Sequence, residues 1–267
     1  GRRRPMTNIV VLIKQVPDTY SERKLSDGDF TLDREAADAV LDEINEKAVE
    51  QALQIKEAGD GEVTVLCVGP ERATEAIRKA LSMGADKAIH LNDEALHGSD
   101  VVQTAWTIAN LLNANVGDTD LVICGNEATD GRMGAIPAML AEYLGLPQLT
   151  HMRTLEVGDG VAKGERETDE GVFEVEATLP CVVSVGEKIN EPRFPSFKGI
   201  MAAKKKPVEV LTLSDTNVET GQVGKDNASS TVTSSTPKPA RTAGEKVTDE
   251  GEGGNDIAKY LVAQKLI

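Results

Sequence analysis

Residues 120–145 read DLVICGNEATDGRMGAIPAMLAEYLG. The run from Asp120 to Gly125 (DLVICG) is short and, between its ends, apolar and β-branched, as a buried strand requires. Apolar residues then recur at helical spacing from Arg132 to Gly145, with Pro137 near the start, where a helix tolerates proline. The stretch is a strand, a turn and a helix.

The same unit repeats upstream. Residues 9–14 (IVVLIK) form a strand that ends at the turn signal Gln15-Val16-Pro17-Asp18. A polar stretch over 19–34 follows, and then the spacing of Ala37, Val40, Leu41, Ile44, Ala48, Val49, Ala52, Leu53 and Ile55 predicts one long helix from about 34 to 59. Residues 63–69 (VTVLCVG) are a strand, 71–83 a helix, 88–91 a strand and 100–113 a helix. Strands that alternate with helices predict a parallel sheet covered on both faces, an α/β fold over roughly residues 6–148. After Pro147 the pattern changes. Residues 149–157, 161–167, 172–179 and 182–185 read as antiparallel strands that extend or flank the sheet.

Residues 187–206 (EKINEPRFPSFKGIMAAKKK) read as a proline-bearing loop, and 208–213 as a last short strand. Phe194, Phe197, Ile200 and Met201 give the loop an apolar tip beside Lys204, Lys205 and Lys206. Such a tip suits either docking on a partner with an acidic rim or a loop pinned by its own rings. Residues 214–254 are poor in apolar residues, too poor to build a core of their own. They lead to an amphipathic helix over 257–267, an arm that packs on a partner or folds back on its own domain. The expected division is a main α/β domain over 6–213 and a linker with arm over 214–267. Residues 1–5 (GRRRP) are read as a remnant of expression or upstream translation.

The chain has 267 residues and a formal net charge of −15. That balance argues against nucleic acid and against anionic lipid. No apolar run approaches the ~18–20 residues that span a bilayer, so a cytoplasmic protein without membrane insertion is expected. Cys67, Cys124 and Cys181 match no zinc or redox spacing and read as buried thiols. His90, His97 and His151 are scattered, so no metal site is expected.

In open parallel sheets, ligands bind outside the carboxyl ends of the strands, and a helix N-terminus there suits phosphate. Gly131 and Gly134 would let a backbone approach closely, although this spacing equally fits an ordinary strand–helix connection. It is neither a dinucleotide fingerprint nor a P-loop. Ser184 lacks the first glycine of a nucleophile elbow. No pair of carboxylates reads as acid and base, so no catalytic residue is assigned and the chain is not expected to be an enzyme.

Several segments together resemble one family. They are Ile13-Lys14-Gln15-Val16-Pro17-Asp18-Thr19, Met83-Gly84-Ala85-Asp86, Gly125 to Asp130, Asn190-Glu191-Pro192-Arg193-Phe194, Ile200 to Lys206, and Arg241-Thr242-Ala243-Gly244. In this order and spacing they resemble the β subunits of electron transfer flavoproteins, from Met6 to the C-terminus. The resemblance implies a Rossmann-like domain with a C-terminal arm that embraces an α subunit. It implies an FAD held mostly by that α subunit, electrons taken from acyl-CoA and related dehydrogenases in fatty acid β-oxidation, and delivery to a quinone reductase.

It also implies AMP on this subunit. Leu12 would approach the adenine. Asp42, Glu43, Ile44 and Asn45 would line the base and ribose, and Val68 would close the second strand's end. Gly125, Asn126, Glu127, Ala128, Thr129, Asp130, Gly131, Arg132, Met133, Gly134, Ala135 and Ile136 would wrap the phosphate. The Thr19 region would face the flavin. Bifurcating members hold a second FAD in this site and carry D-T-A-Q where this chain has Arg132, Met133, Gly134 and Ala135, so AMP is favoured. Phe197 aligns with the family's partner-anchoring leucine, which turns the reading of the 187–206 loop toward recognition, with Ile200, Met201 and Lys204–Lys206 beside the anchor. The rival function is a stand-alone adenine-nucleotide-binding or sensing protein of the same architecture.

Overall fold

The computed structural model describes residues 6–17, 39–126, 134–229, 233–234, 236, 239, 246 and 248–265. The chain divides into two compact units, Gly1–Thr233 and Ser234–Ile267.

The first unit runs β1 (Thr7–Ile13), β2 (Gln15–Pro17), β3 (Ala39–Leu41), α1 (Glu43–Ala58), β4 (Gly61–Val68), α2 (Thr74–Met83) and β5 (Lys87–Leu91). It continues with α3 (Val101–Asn115), β6 (Leu121–Gly125), α4 (Ile136–Leu144), β7 (Gln148–Met152), β8 (Glu156–Gly158), β9 (Val161–Thr168) and β10 (Gly171–Thr178). It closes with β11 (Cys181–Val185), α5 (Phe197–Ala203) and β12 (Val208–Leu211). Among the described residues one sheet takes the order β10-β9-β7-β11-β6-β1-β4-β5-β12, with β8 paired to β9, and β2 and β3 form a separate ladder.

Strands β1, β4, β5, β6, β7, β11 and β12 are joined in parallel, and β8, β9 and β10 are antiparallel additions. The sheet separates two cores. Ile9, Val11, Val65, Ile123 and Val183 meet Val49, Ala52 and Leu53 of α1 and Ile77 and Leu81 of α2. Val10, Leu66, Leu91 and Val122 meet Ile108 and Leu112 of α3 and Leu140 of α4 on the other face. Apolar strands buried on both sides are what a covered parallel sheet demands. The expected α/β class is therefore what the structure has.

Helix boundaries follow local chemistry. Asp100 and Gln103 form a reciprocal capping box that starts α3. Gly84 ends α2 at φ +136, and Gly145 ends α4 in the left-handed region.

Four expectations are corrected. Val40 and Leu41 are not helical, because Ala39–Leu41 pairs antiparallel with Gln15–Pro17 and the Asp42 carboxylate caps α1 by accepting the Ile44 N–H at 3.0 Å. β11 is parallel to both β6 and β7, and β7 joins it in parallel. A continuous buried run such as CVVSV marks a strand covered on both faces rather than a half-exposed antiparallel one. The 187–206 loop carries a helix, α5, capped by the Ser196 hydroxyl, which accepts the Gly199 N–H at 3.0 Å. Beyond residue 213, Val218 and Val223 are buried with Leu213 in the α3–α4 core, so the polar stretch after β12 contributes to the first unit.

Within the second unit, α6 (Gly253–Ala263) starts where the Asp249 carboxylate accepts the Gly251 and Gly253 N–H groups. Those bonds hold the Asp249 carboxyl below its ordinary range. Ile257, Tyr260 and Val262 are exposed. No described helix is long and apolar enough to cross a membrane.

Candidate functional site

The chain leaves β1 toward β4 through α1, and later crosses to β6 on β1's other side. The carboxyl ends of β1 and β6 therefore flank a topological switch point, where open α/β sheets form their ligand crevice. The first turn of α1 lies at this crevice. Its Asn45 side chain accepts the Lys14 N–H at 2.8 Å, and the Asp42 N–H donates to the Lys14 carbonyl at 3.0 Å. Asp42, Ile44 and Asn45 are buried there and Glu43 is exposed.

Gly125 ends β6 directly against this turn. A Cβ on Gly125 would lie 2.6 Å from Ile44 Cγ2 and 3.1 Å from Asn45 Nδ2, so no side chain fits. Asn126 follows, its N–H donating to the Val185 carbonyl at 2.9 Å. Its side-chain oxygen is buried and has no hydrogen-bond partner among the described residues. An unpaired buried acceptor costs on the order of 1–3 kcal/mol, which a ligand donor would recover.

On the other face α4 begins at Ile136 after Ala135, and among the described residues no side chain caps its first amides. Uncapped amides carry the helix's partial positive charge.

The structure thus brings Ile44 and Asn45, in the same turn as Asp42 and Glu43, against Gly125, which Asn126 follows, while the Leu12 side chain packs in the core on the α3–α4 face. Val68 lies at the end of β4, next to β1. Gly134, Ala135 and Ile136 lie at and just before the start of α4. Glu127, Ala128, Thr129, Asp130, Gly131, Arg132 and Met133 lie outside the described residues, as do Thr19 and Arg241 to Gly244.

Cys124 is buried beside the crevice, and burial pushes its thiol up to about 12. Cys181 is raised to about 11 for the same reason. Both are inert thiols at neutral pH. The Ser184 hydroxyl is buried and accepts the His151 N–H at 3.0 Å, a structural role.

A second constellation surrounds α5. Phe194 and Phe197 are 96% and 80% exposed, and Ile200 and Met201 are also exposed. Lys198, Lys204 and Lys205, in and just after the same helix, are exposed as well. Lys206 does not project with its neighbours. Its Nζ donates to the Leu81 and Ala85 carbonyls at 2.8 and 2.7 Å, closing the C-terminal end of α2, and burial lowers its pKa. Ala203 is buried beneath the helix.

Gly199 allows this seating, because a Cβ there would lie 2.5 Å from the Ser82 carbonyl oxygen. Gly199→Ala is expected to lift α5 from α2 and to cost about 1–3 kcal/mol, the scale of overpacking. Denaturant unfolding of the purified protein measures it, and an unchanged midpoint would contradict the seating.

The residues that fix the approach to α5 escaped the sequence reading. Arg193 Nε donates to Glu50 at 2.6 Å, and its terminal nitrogens reach Glu57 at 2.5 and 3.1 Å. Asn190 Nδ2 donates to the Lys47 carbonyl and to Gln51 Oε1, and Lys47 Nζ returns to the Glu187 and Asn190 carbonyls. The only signal was the four-residue string Asn190-Glu191-Pro192-Arg193, whose partners on α1 lie far away in sequence.

Comparison with known proteins sets these sites in context. The family model described as the electron transfer flavoprotein domain matches residues 29–216. The electron transfer flavoprotein subunit beta of Mycobacterium tuberculosis (strain H37Rv) is 73% identical over 98% of this chain and all of its own length. The subunit beta of Megasphaera elsdenii is 32% identical over 97% of this chain and 99% of its own. The caffeyl-CoA reductase-Etf complex subunit CarD of Acetobacterium woodii is 34% identical over 96% of this chain and 97% of its own.

Proposed function

Because the chain belongs to the electron transfer flavoprotein family as a β subunit, we propose that it works in a heterodimer with an α subunit that holds most of an FAD. The complex takes electrons from acyl-CoA and related dehydrogenases and passes them to a quinone reductase. The β subunit carries AMP at the β1/β6 switch point and does no substrate chemistry of its own. Its proposed place is the cytoplasm.

The observation that carries the nucleotide assignment is the crevice itself. Gly125 is forced to be glycine by α1, and among the described residues the buried Asn126 side-chain oxygen has no partner and no side chain caps the first amides of α4. An adenine amino group or ribose hydroxyl suits the first feature pair, and a phosphate suits the helix terminus. The residues present therefore fit an adenosine monophosphate. Asp42 and Asn45 fix the α1 turn and the β1 end that would hold it.

When bound at the α–β interface, FAD supplies the redox chemistry. This chain contributes recognition. Phe197, Ile200 and Met201 offer an apolar anchor, and Lys204 and Lys205 offer charge to an acidic rim. Lys206 serves the same end from beneath, by fixing α5 on α2. The exposed apolar side chains of α6 suit an arm that packs on the α subunit.

The test is to co-purify the chain with its native partner, denature the complex and identify the released nucleotides by mass spectrometry. One FAD and one AMP per complex is the expected result. Two FAD would replace AMP with a second flavin, as in a bifurcating complex. A homodimer that binds ATP without flavin would overturn the assignment in favour of a nucleotide sensor.

A further inference from the structure

The docking helix α5 is short, and its approach from β11 passes through Gly186 to Ser196 without regular structure. A segment of this kind would present Phe197 at many angles unless something fixed it, and ordering it on association would weaken docking. The structure shows what fixes it. Arg193, four residues before Phe197, lies between two carboxylates of α1, Glu50 and Glu57, seven residues and thus two turns apart on the same helix face.

The two carboxylates are not equivalent. The Glu57 side chain is 55% exposed, and its hydrogen bond with Arg193 holds its carboxyl below the ordinary range. The Glu50 side chain is 8% exposed. A group so enclosed cannot meet a docking protein, so any influence it has on docking passes through Arg193.

We infer that Glu50 is a positioning residue for partner docking: from inside α1 it orients Arg193, and through it the angle at which α5 presents Phe197. The inference rests on the reading of α5 as the docking element. An arginine fork is needed, because a lysine ammonium is a point charge and cannot engage two carboxylates with fixed geometry. Glu50 therefore acts as the fixed end of a brace, Arg193 as its link, and Phe197 as the end that works.

The experiment follows reduction of the whole α–β complex by an acyl-CoA dehydrogenase with its acyl-CoA, as bleaching of flavin absorbance across a range of complex concentrations. The variants are Glu50→Gln, Arg193→Lys, Phe197→Ala and the Glu50→Gln/Phe197→Ala pair. Glu50→Gln and Arg193→Lys are expected to raise KM for the complex roughly three- to tenfold, the scale of ordering one mobile side chain on association, with kcat and flavin content unchanged. In the Phe197→Ala background Glu50→Gln is expected to add nothing, because no anchor is left to orient.

If Phe197→Ala raises KM and Glu50→Gln does not, α5 docks but the brace is irrelevant, and the inference fails alone. If the two effects multiply, Glu50 acts by general loosening and the inference also fails. If Phe197→Ala has no effect, the docking reading itself fails and takes the brace with it. Should Glu50→Gln not assemble, Arg193→Lys and its pair with Phe197→Ala give the same comparison while keeping the positive charge.

Discussion

Phe197→Ala is expected to lower kcat/KM for reduction of the complex by an acyl-CoA dehydrogenase by about 10- to 100-fold, the range of an aromatic hot spot. The ring is 80% exposed in the free protein, at the first position of α5. Truncating it removes nothing from the core, so the unfolding midpoint should move by no more than a surface substitution does, within about 0.5 kcal/mol. Flavin and nucleotide content should be unchanged. Phe197→Leu should recover most of the rate, since leucine also fills an apolar pocket. The effect should appear at low concentrations of the complex and vanish near saturation. An unchanged rate at low concentration would mean that α5 is not the anchor.

Gly125→Ala should act at the other end of the molecule and through a different cause. The added methyl carbon would lie 2.6 Å from Ile44 Cγ2, and Ile44 is buried in the first turn of α1. That turn would have to withdraw, taking the Asn45 hydrogen bond to Lys14 with it. A cost of about 1–3 kcal/mol in stability is expected from overpacking. The larger effect should be on the nucleotide, with AMP falling below roughly a tenth of its stoichiometry as the crevice changes shape by more than a hydrogen bond tolerates. Mass spectrometry of the denatured complex reads this directly. Gly117→Ala is the control, because a Cβ there meets nothing within 4 Å. Equal nucleotide content in the Gly125 and Gly117 variants would remove β6 from the binding site.

Much of the architecture was legible because a covered parallel strand writes itself as an unbroken apolar run. IVVLI and LVIC could be little else once helical segments stood between them. Val40 and Leu41 misled because they fit helical spacing with Ile44, while the pairing that makes them a strand is with Gln15 and Val16, well separated in sequence. α5 was hidden between Pro195 and the lysines, where only Ser196 as a cap marked its start. The run Lys204-Lys205-Lys206 looks uniform in sequence. Only the tertiary structure separates Lys206, whose ammonium closes the end of α2, from two solvated neighbours.

The site was less legible still. Glycine spacing alone could not distinguish a ligand crevice from an ordinary connection, and the resemblance to a family supplied the difference. The need for glycine at 125 comes from Ile44, and the brace at Arg193 comes from Glu50. Both are contacts between distant parts of the chain that no local pattern encodes.

The position of β11 has a consequence for how the chain is made. It is the strand through which β7, with β8, β9 and β10, is joined to β6 and the rest of the sheet. As the polypeptide leaves the ribosome, β1, β4, β5 and β6 can pair among themselves once Gly125 has emerged. The strands made next have no place until Cys181–Val185 fills the gap. At roughly 5–20 residues per second of synthesis, the free edge of β6 stays open for several seconds. An open apolar edge is a template for pairing with a neighbouring chain. Nascent-chain protection by a chaperone is therefore most needed between these two strands, and rapid elongation from β6 to β11 would raise the yield of native subunit.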